Sequence, residues 1–138
     1  MTNIQTRLNA NNVGTLKVGD IIKLELDPTV GHEQQEYRPC IVLSEQPWNA
    51  VIRGFVFVAP LTGTMHPNPN TEYPVLTKDQ NNCGAYGTVL LDQIRSIDAL
   101  GRNGKLVGEV TDPQLIDDLR MSICAIIGVD ASFFQAEE

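Results

Sequence analysis

Apolar and polar residues alternate in the first ordered part of the chain: Ile22, Leu24 and Leu26 interleave with Lys23, Glu25 and Asp27. A period of two is that of a strand with one buried face. Asp27-Pro28-Thr29 ends it, since Pro lacks the ladder donor and Asp favours turns. Cys40 to Leu43 is a short unbroken apolar run and predicts a buried strand. Glu45 to Asn49, with Pro47, interrupts the pattern. Val51 to Leu61 then predicts a long strand rich in Val and Phe, with Gly54 marking a bulge or a close backbone approach. Thr62 to Pro74 carries Gly63, Pro67, Pro69 and Pro74 and reads as a long exposed loop. Tyr73 to Thr77 and Tyr86 to Leu91 predict strands on either side of the turn signal Asn81-Asn82-Cys83-Gly84. Asp92 to Asp98 alternates only partly in phase, and Lys105 to Val110 predicts a short strand after the turn Gly101-Arg102-Asn103-Gly104.

Near the C-terminus the period changes to that of a helix. Leu115, Ile116, Leu119, Ile123, Ile126 and Ile127 form one apolar stripe, with Asp117, Asp118 and Arg120 elsewhere on the wheel. Thr111 or Asp112 can cap this helix, Pro113 suits its first turn, and Gly128 stops it. The stripe is read as core or dimer packing. Many short strands followed by one amphipathic helix predict a mainly β fold with a C-terminal helix, as a small β-barrel or strongly curved sheet. Residues 1–16 read as a flexible N-terminal leader, residues 17–129 as the domain, and residues 130–138, with Phe133 and Phe134, as a C-terminal tail.

The chain length of 138 residues fits one domain with an independent core. No apolar run approaches the length of a membrane span, and the polar N-terminus lacks the apolar core of a secretory signal, so the expected location is cytoplasmic. Cys40, Cys83 and Cys124 are widely spaced, with no C-x-x-C pair, and read as small buried hydrophobes in a reducing compartment. A net charge of -7 opposes non-specific nucleic-acid binding and requires any RNA site to be local.

No P-loop, dinucleotide-type glycine pattern, H-E-x-x-H or G-x-S-x-G occurs. With two histidines a multi-histidine metal site is not expected, and no metal or cofactor is predicted. General acid–base chemistry and arginine-based anion recognition are left. Arg38 precedes Pro39 and is biased to extended backbone, where its planar fork could grip a phosphate. Spacing alone favours an ordinary ion pair with Glu33 or Glu36. His32 could move a proton near neutral pH, or simply bond to backbone. Glu33 could be a general base, or a solvated carboxylate. Thr62, ending the long strand, could bind a phosphate oxygen, or only form a turn.

The order of these residues carries a family resemblance. Val18-Gly19-Asp20-Ile21-Ile22 looks like the opening strand of the MazF/PemK/Kid-type toxins of bacterial toxin–antitoxin modules. Asp27-Pro28-Thr29-x-Gly31-His32-Glu33-Gln34-Gln35-x-x-Arg38-Pro39, followed by Cys40-Ile41-Val42-Leu43-Ser44, resembles that family's signature. Pro60-Leu61-Thr62 looks like its Pro-x-Thr site, and Asp92-Gln93-Ile94-Arg95-Ser96-Ile97-Asp98 like its Asp-Gln segment. The resemblance implies an SH3-like small β-barrel of the MazF/CcdB type, working as a homodimer. It implies a sequence-specific, metal-independent endoribonuclease that cleaves single-stranded mRNA and is neutralised by a cognate antitoxin. It assigns catalysis to Arg38 and Thr62, with His32, Glu33 and Asp92 in supporting roles, and substrate binding to Gln34, Gln35, Thr64, His66 and Arg95. One departure is Leu90, where the Kid subgroup has an arginine active in acid–base chemistry. The alternatives are a CcdB-like gyrase-binding toxin, of which Phe133-Phe134 is a faint echo, and a catalytically degenerate homologue.

Overall fold

The computed structural model describes residues 5–27, 37–64, 72–130 and 132. In chain order these form β1 (Thr6–Arg7), β2 (Asp20–Glu25), β3 (Tyr37–Val42), α1 (Gln46–Ile52), β4 (Phe55–Thr62), β5 (Val75–Leu76), β6 (Gly87–Val89), β7 (Arg95–Asp98), β8 (Lys105–Glu109) and α2 (Pro113–Ile127). Short 3-10 turns lie at Val13–Thr15, Lys78–Gln80 and Leu91–Gln93. The sheet runs β1-β8-β2-β3-β4-β6-β5, with β7 also on β4. All named pairings are antiparallel.

β4 organises the sheet. Its first half, Phe55 to Val58, pairs with β7, and its end, Leu61 and Thr62, pairs with β6. Among the described residues the ladder does not close into a complete barrel of strands. Its far sides meet through an isolated bridge between Asn81 and Val110, flanked by Thr111 N–H donating to the Gln80 carbonyl at 2.8 Å.

Burial follows the period of two on both faces. Ile22, Leu24, Cys40, Val42, Val56 and Val58 join one core cluster, while their neighbours Ile21, Ile41, Ala59 and Leu61 join a second under α2. The central strands are thus covered on both sides, which is why Cys40 to Leu43 shows no polar alternation. Asp112 caps α2 by accepting from Gln114 N–H at 3.0 Å, and Gly128 ends it in the left-handed conformation.

The structure corrects three expectations. The segment read as a leader packs from residue 5 onward: β1 adds to the sheet edge, and Leu8, Val13 and Leu16 enter the first core cluster. Its sparse apolar residues gave no period because none of Leu8, Val13 and Leu16 lies in a strand or α-helix. Val51 and Ile52 belong to α1 and not to the long strand, which starts at Phe55. Pro47 lies in the first turn of α1, and Arg53, at φ 49°, turns the chain into β4. Of the cysteines, Cys40 alone is buried; Cys83 and Cys124 are partly exposed, and all three are free thiols. Among the described residues no helix is long and apolar enough to cross a membrane.

Candidate active site

The β3–β4 ladder places Cys40 opposite Pro60 and Ile41 opposite Ala59. The paired register ends at Cys40–Pro60, with Arg38 two residues before Cys40 and Thr62 two residues after Pro60. Because side chains alternate, both share the face of Cys40 and Pro60. Arg95 of β7 is opposite Val58 and belongs to that face too. The order of strands therefore brings together residues far apart in the chain: an arginine from β3, a threonine from β4 and an arginine from β7.

The Cys40 thiol reports on this cluster. Burial pushes its pKa up to about 12, against the opposing pull of the Arg95 and Arg38 guanidiniums. Desolvation outweighs two cations, so Cys40 stays a neutral thiol at physiological pH and is not a nucleophile. Arg38 itself is half-buried, in register with Leu24 of β2.

Thr62 is 5% exposed and its hydroxyl is oriented. Oγ1 accepts a hydrogen bond from Thr64 N–H at 3.2 Å. An accepting hydroxyl keeps its own hydrogen available for a phosphate oxygen. Thr88 stands opposite Thr62 on β6 and donates from Oγ1 to the Thr64 carbonyl at 3.2 Å. Gly87 makes this approach possible: its φ is +142°, and a Cβ there would lie 2.6 Å from the Thr62 carbonyl oxygen.

Asp92 is exposed in the 3-10 turn Leu91–Gln93, and its Oδ2 accepts from the Tyr73 hydroxyl at 2.8 Å. Burial, together with the hydrogen bond and charge of Asp92, raises the Tyr73 pKa above its ordinary value. Arg95 donates from Nη1 to the Leu26 carbonyl at 3.3 Å. Arg102 donates from Nη1 to the carbonyls of Glu25 at 3.1 Å and Asp27 at 3.0 Å. These two arginines brace the backbone where β2 leads into residues 28–36. Leu90 is 1% exposed, with its N–H donating to the Pro60 carbonyl at 3.0 Å. The Kid-type arginine position is thus a core position in this chain.

Of the residues expected at the site, Arg38, Thr62 and Arg95 share a face. Thr64 braces Thr62, and Asp92 is held by Tyr73 on the turn after β6. His32, Glu33, Gln34, Gln35 and His66 lie outside the described residues, as do Glu36, Phe133 and Phe134. Sequence reasoning missed Tyr73, Gly87 and Thr88. Their contacts cross strands, so no local pattern announces them; Gly87, ahead of a strand of small and branched residues, was the one available signal. Among the described residues no group of three or more His, Cys, Asp or Glu could hold a metal ion.

Comparison with known proteins places this geometry. A family model described as "PemK-like, MazF-like toxin of type II toxin-antitoxin system" matches residues 17–127. The chain is 31% identical over 112 residues to the endoribonuclease toxin ChpB of Escherichia coli K12, spanning 79% of this chain and 91% of that protein. It is 34% identical over 94 residues to the endoribonuclease PemK of Escherichia coli, spanning 68% and 69%. The crystal structure of MazF from Deinococcus radiodurans superposes with a TM-score of 0.64 at 25% identity, covering 83% of this chain and 97% of that one. A MazE-MazF structure from the same organism gives 0.64 at 26% identity, with the same coverage. With the fold and these matches in agreement, the chain belongs to the PemK-like, MazF-like toxins of type II toxin–antitoxin systems.

Proposed function

We propose that this protein is a metal-independent endoribonuclease that cleaves single-stranded mRNA at specific sequences, acts as a homodimer in the cytoplasm and is neutralised by a cognate antitoxin. The observation that carries the reading is the placement of Arg38 and Thr62 by strand alternation on one face of the β3–β4 pair, with Thr62 oriented by Thr64. The similarity to relatives named endoribonucleases supports the activity. The MazE-MazF structures of Deinococcus radiodurans support an antitoxin partner.

The reaction needs no external nucleophile. The ribose 2′-hydroxyl attacks the adjacent phosphorus, the 5′-oxygen leaves, and the products are a 2′,3′-cyclic phosphate and a 5′-hydroxyl. Arg38 and the Thr62 hydroxyl hold the non-bridging oxygens as charge builds there, from positions fixed before the substrate arrives. Asp92, with one oxygen taken by Tyr73, positions substrate. The base that takes the 2′-hydroxyl proton is one of His32, Glu33 and Asp92, and Arg38 donates to the leaving oxygen. Arg95, Thr64, His66, Gln34 and Gln35 contribute to binding the strand.

The test is cleavage of a long RNA in the presence of a chelator, with fragment ends identified chemically. Arg38→Ala should slow cleavage by about 10²–10³ or more, the range for loss of a preorganised donor. Undiminished cleavage by that variant would sink the mechanism, and a requirement for divalent metal would sink the reaction class.

A further inference from the structure

The sheet edge opposite the Arg38 face carries a cationic row that the catalytic reading does not use. Arg7 of β1 pairs with Lys105 of β8, and Lys105 pairs with Lys23 of β2. Directly paired residues point to the same face, so three cations stand side by side on adjacent strands, in steps of about 5 Å. Like charges in direct register destabilise a sheet. Among the described residues none of the three forms an ion pair, although the chain has a net charge of -7 and offers many carboxylates. Glu109, on the neighbouring stretch of β8, is already taken by Lys17 at 2.6 Å.

The row lies in a trough. One recess of about 290 Å³ is lined by Arg7, Lys105, Tyr37, Asn103 and Glu25, whose carboxylate is the one acid among its described lining residues. A second, of about 220 Å³ and with no lining residue in common with the first, holds Lys23 and Pro39 with Gln5, Cys83, Ala85 and Val107. Tyr37 is exposed, its hydroxyl donates to the Asn103 carbonyl at 3.2 Å, and the Lys105 ammonium lies 6.0 Å from its ring centroid. An anchored aromatic ring beside a line of cations is the combination that binds single-stranded nucleic acid, with phosphates on the cations and a base on the ring. Tyr37 is also the residue before Arg38, so the two sit on opposite faces of the start of β3.

We propose that this trough is a second RNA-binding surface, in which Arg7, Lys105 and Lys23 contact successive phosphates and Tyr37 stacks a base of the strand outside the cleaved site. It rests on the endoribonuclease reading for its substrate but uses none of the catalytic residues. Arg7 precedes residues 17–127 matched by the family model, so the row is completed by a strand outside the matched region.

The experiment measures binding of a labelled single-stranded RNA of about 30 nucleotides, long enough to span both faces. The protein carries Arg38→Ala, which keeps the RNA whole, with or without Arg7→Gln, Lys23→Gln and Lys105→Gln together. Three phosphate contacts at about 0.7 each predict that the slope of log K against log salt becomes shallower by about 2, with roughly tenfold or greater loss of affinity at moderate salt. Tyr37→Ala should weaken the same RNA by about fivefold or more without changing the slope. With Arg38 restored, the triple variant should cleave a hexamer at the wild-type rate and the long RNA more slowly at limiting concentration. Equal salt slopes with and without the triple substitution would overturn the proposal. So would a triple variant that keeps its RNA affinity and loses only a polyglutamate peptide, which would mark a protein-binding face. Equal loss of RNA and peptide with Tyr37→Ala silent would overturn it as well, by showing an unselective anion face. Failure of the wild type to cleave any RNA, with the binding slopes as predicted, would remove the catalytic reading and leave the surface standing.

Discussion

Thr62 is the residue on which the site depends most visibly, and its environment makes it sensitive to changes that never touch RNA. Gly87 lies under it with no room for a methyl group and with a φ of +142°. Gly87→Ala should cost about 1–3 kcal/mol of stability and lower kcat by displacing the Thr62 backbone. Gly63→Ala next door is the control, since nothing lies within 4 Å of its added Cβ. Melting and cleavage measured on both variants check this, and a Gly87→Ala protein that behaves like Gly63→Ala would refute it. Tyr73 gives a pH signature. Its folded pKa is raised above the ordinary tyrosine value by burial and by Asp92, so the folded state retains a proton that the unfolded chain loses first. Its contribution is fully present below about pH 10 and is lost as pH rises through the folded pKa. Urea midpoints should therefore fall more steeply above about pH 10 for the wild type than for Tyr73→Phe. Parallel curves would show that the phenol makes no such contribution.

At the scale of elements, α1 is held by one buried side chain. Asn49 is 0% exposed. Its amide donates to the carbonyls of Leu16 at 2.8 Å and Ser44 at 2.9 Å, and its oxygen accepts from the Ser44 hydroxyl at 2.6 Å. Ser44 Oγ in turn accepts from Phe57 N–H at 3.1 Å, so α1, β4 and the 3-10 turn before Leu16 share one polar network. Asn49→Ala leaves those partners buried and unpaired, and should cost about 2–4 kcal/mol in a urea titration. A loss below about 1 kcal/mol would mean that water replaces the amide. The amphipathic pattern of α2 was legible from its sequence, start, stop and stripe alike, because a helix is a local structure. α1 was not: its seven residues contain Pro47, its apolar Trp48, Val51 and Ile52 stay exposed, and the tertiary hydrogen bonds of buried Asn49 hold it.

At the scale of the molecule, the stripe on α2 divides in two. Leu115 and Leu119 are buried in the second core cluster, whereas Ile126 and Ile127 are 58% and 68% exposed, as is Met121 outside the stripe at 69%. An apolar half-helix left in water fits the homodimer proposed above. Ile126→Asp with Ile127→Asp should convert the protein from dimer to monomer in light scattering while the melting of the monomer fold stays cooperative. A dimer that survives both changes would place the interface elsewhere, for example around the exposed Trp48, Phe55 and Phe57. The sheet itself is a whole-molecule property: Cys40 meets Pro60 and Thr62 meets Thr88 only because β3, β4 and β6 lie side by side.

By itself the sequence determined the mainly β class, the position of the C-terminal helix and the ordered set of residues from Asp27 to Pro39, since each is a local pattern of period, cap or motif. Arg38 and Thr62 could be named from it, but each residue taken alone favoured a plain structural role. Tertiary structure decided that they share a face, that Cys40 beside them is an inert thiol, that Leu90 is core, and that the first sixteen residues contribute Leu8, Val13 and Arg7 to the fold. The physical reason is that register, burial and electrostatic environment are set by strands distant in the chain, and a single strand's sequence holds no record of its neighbour.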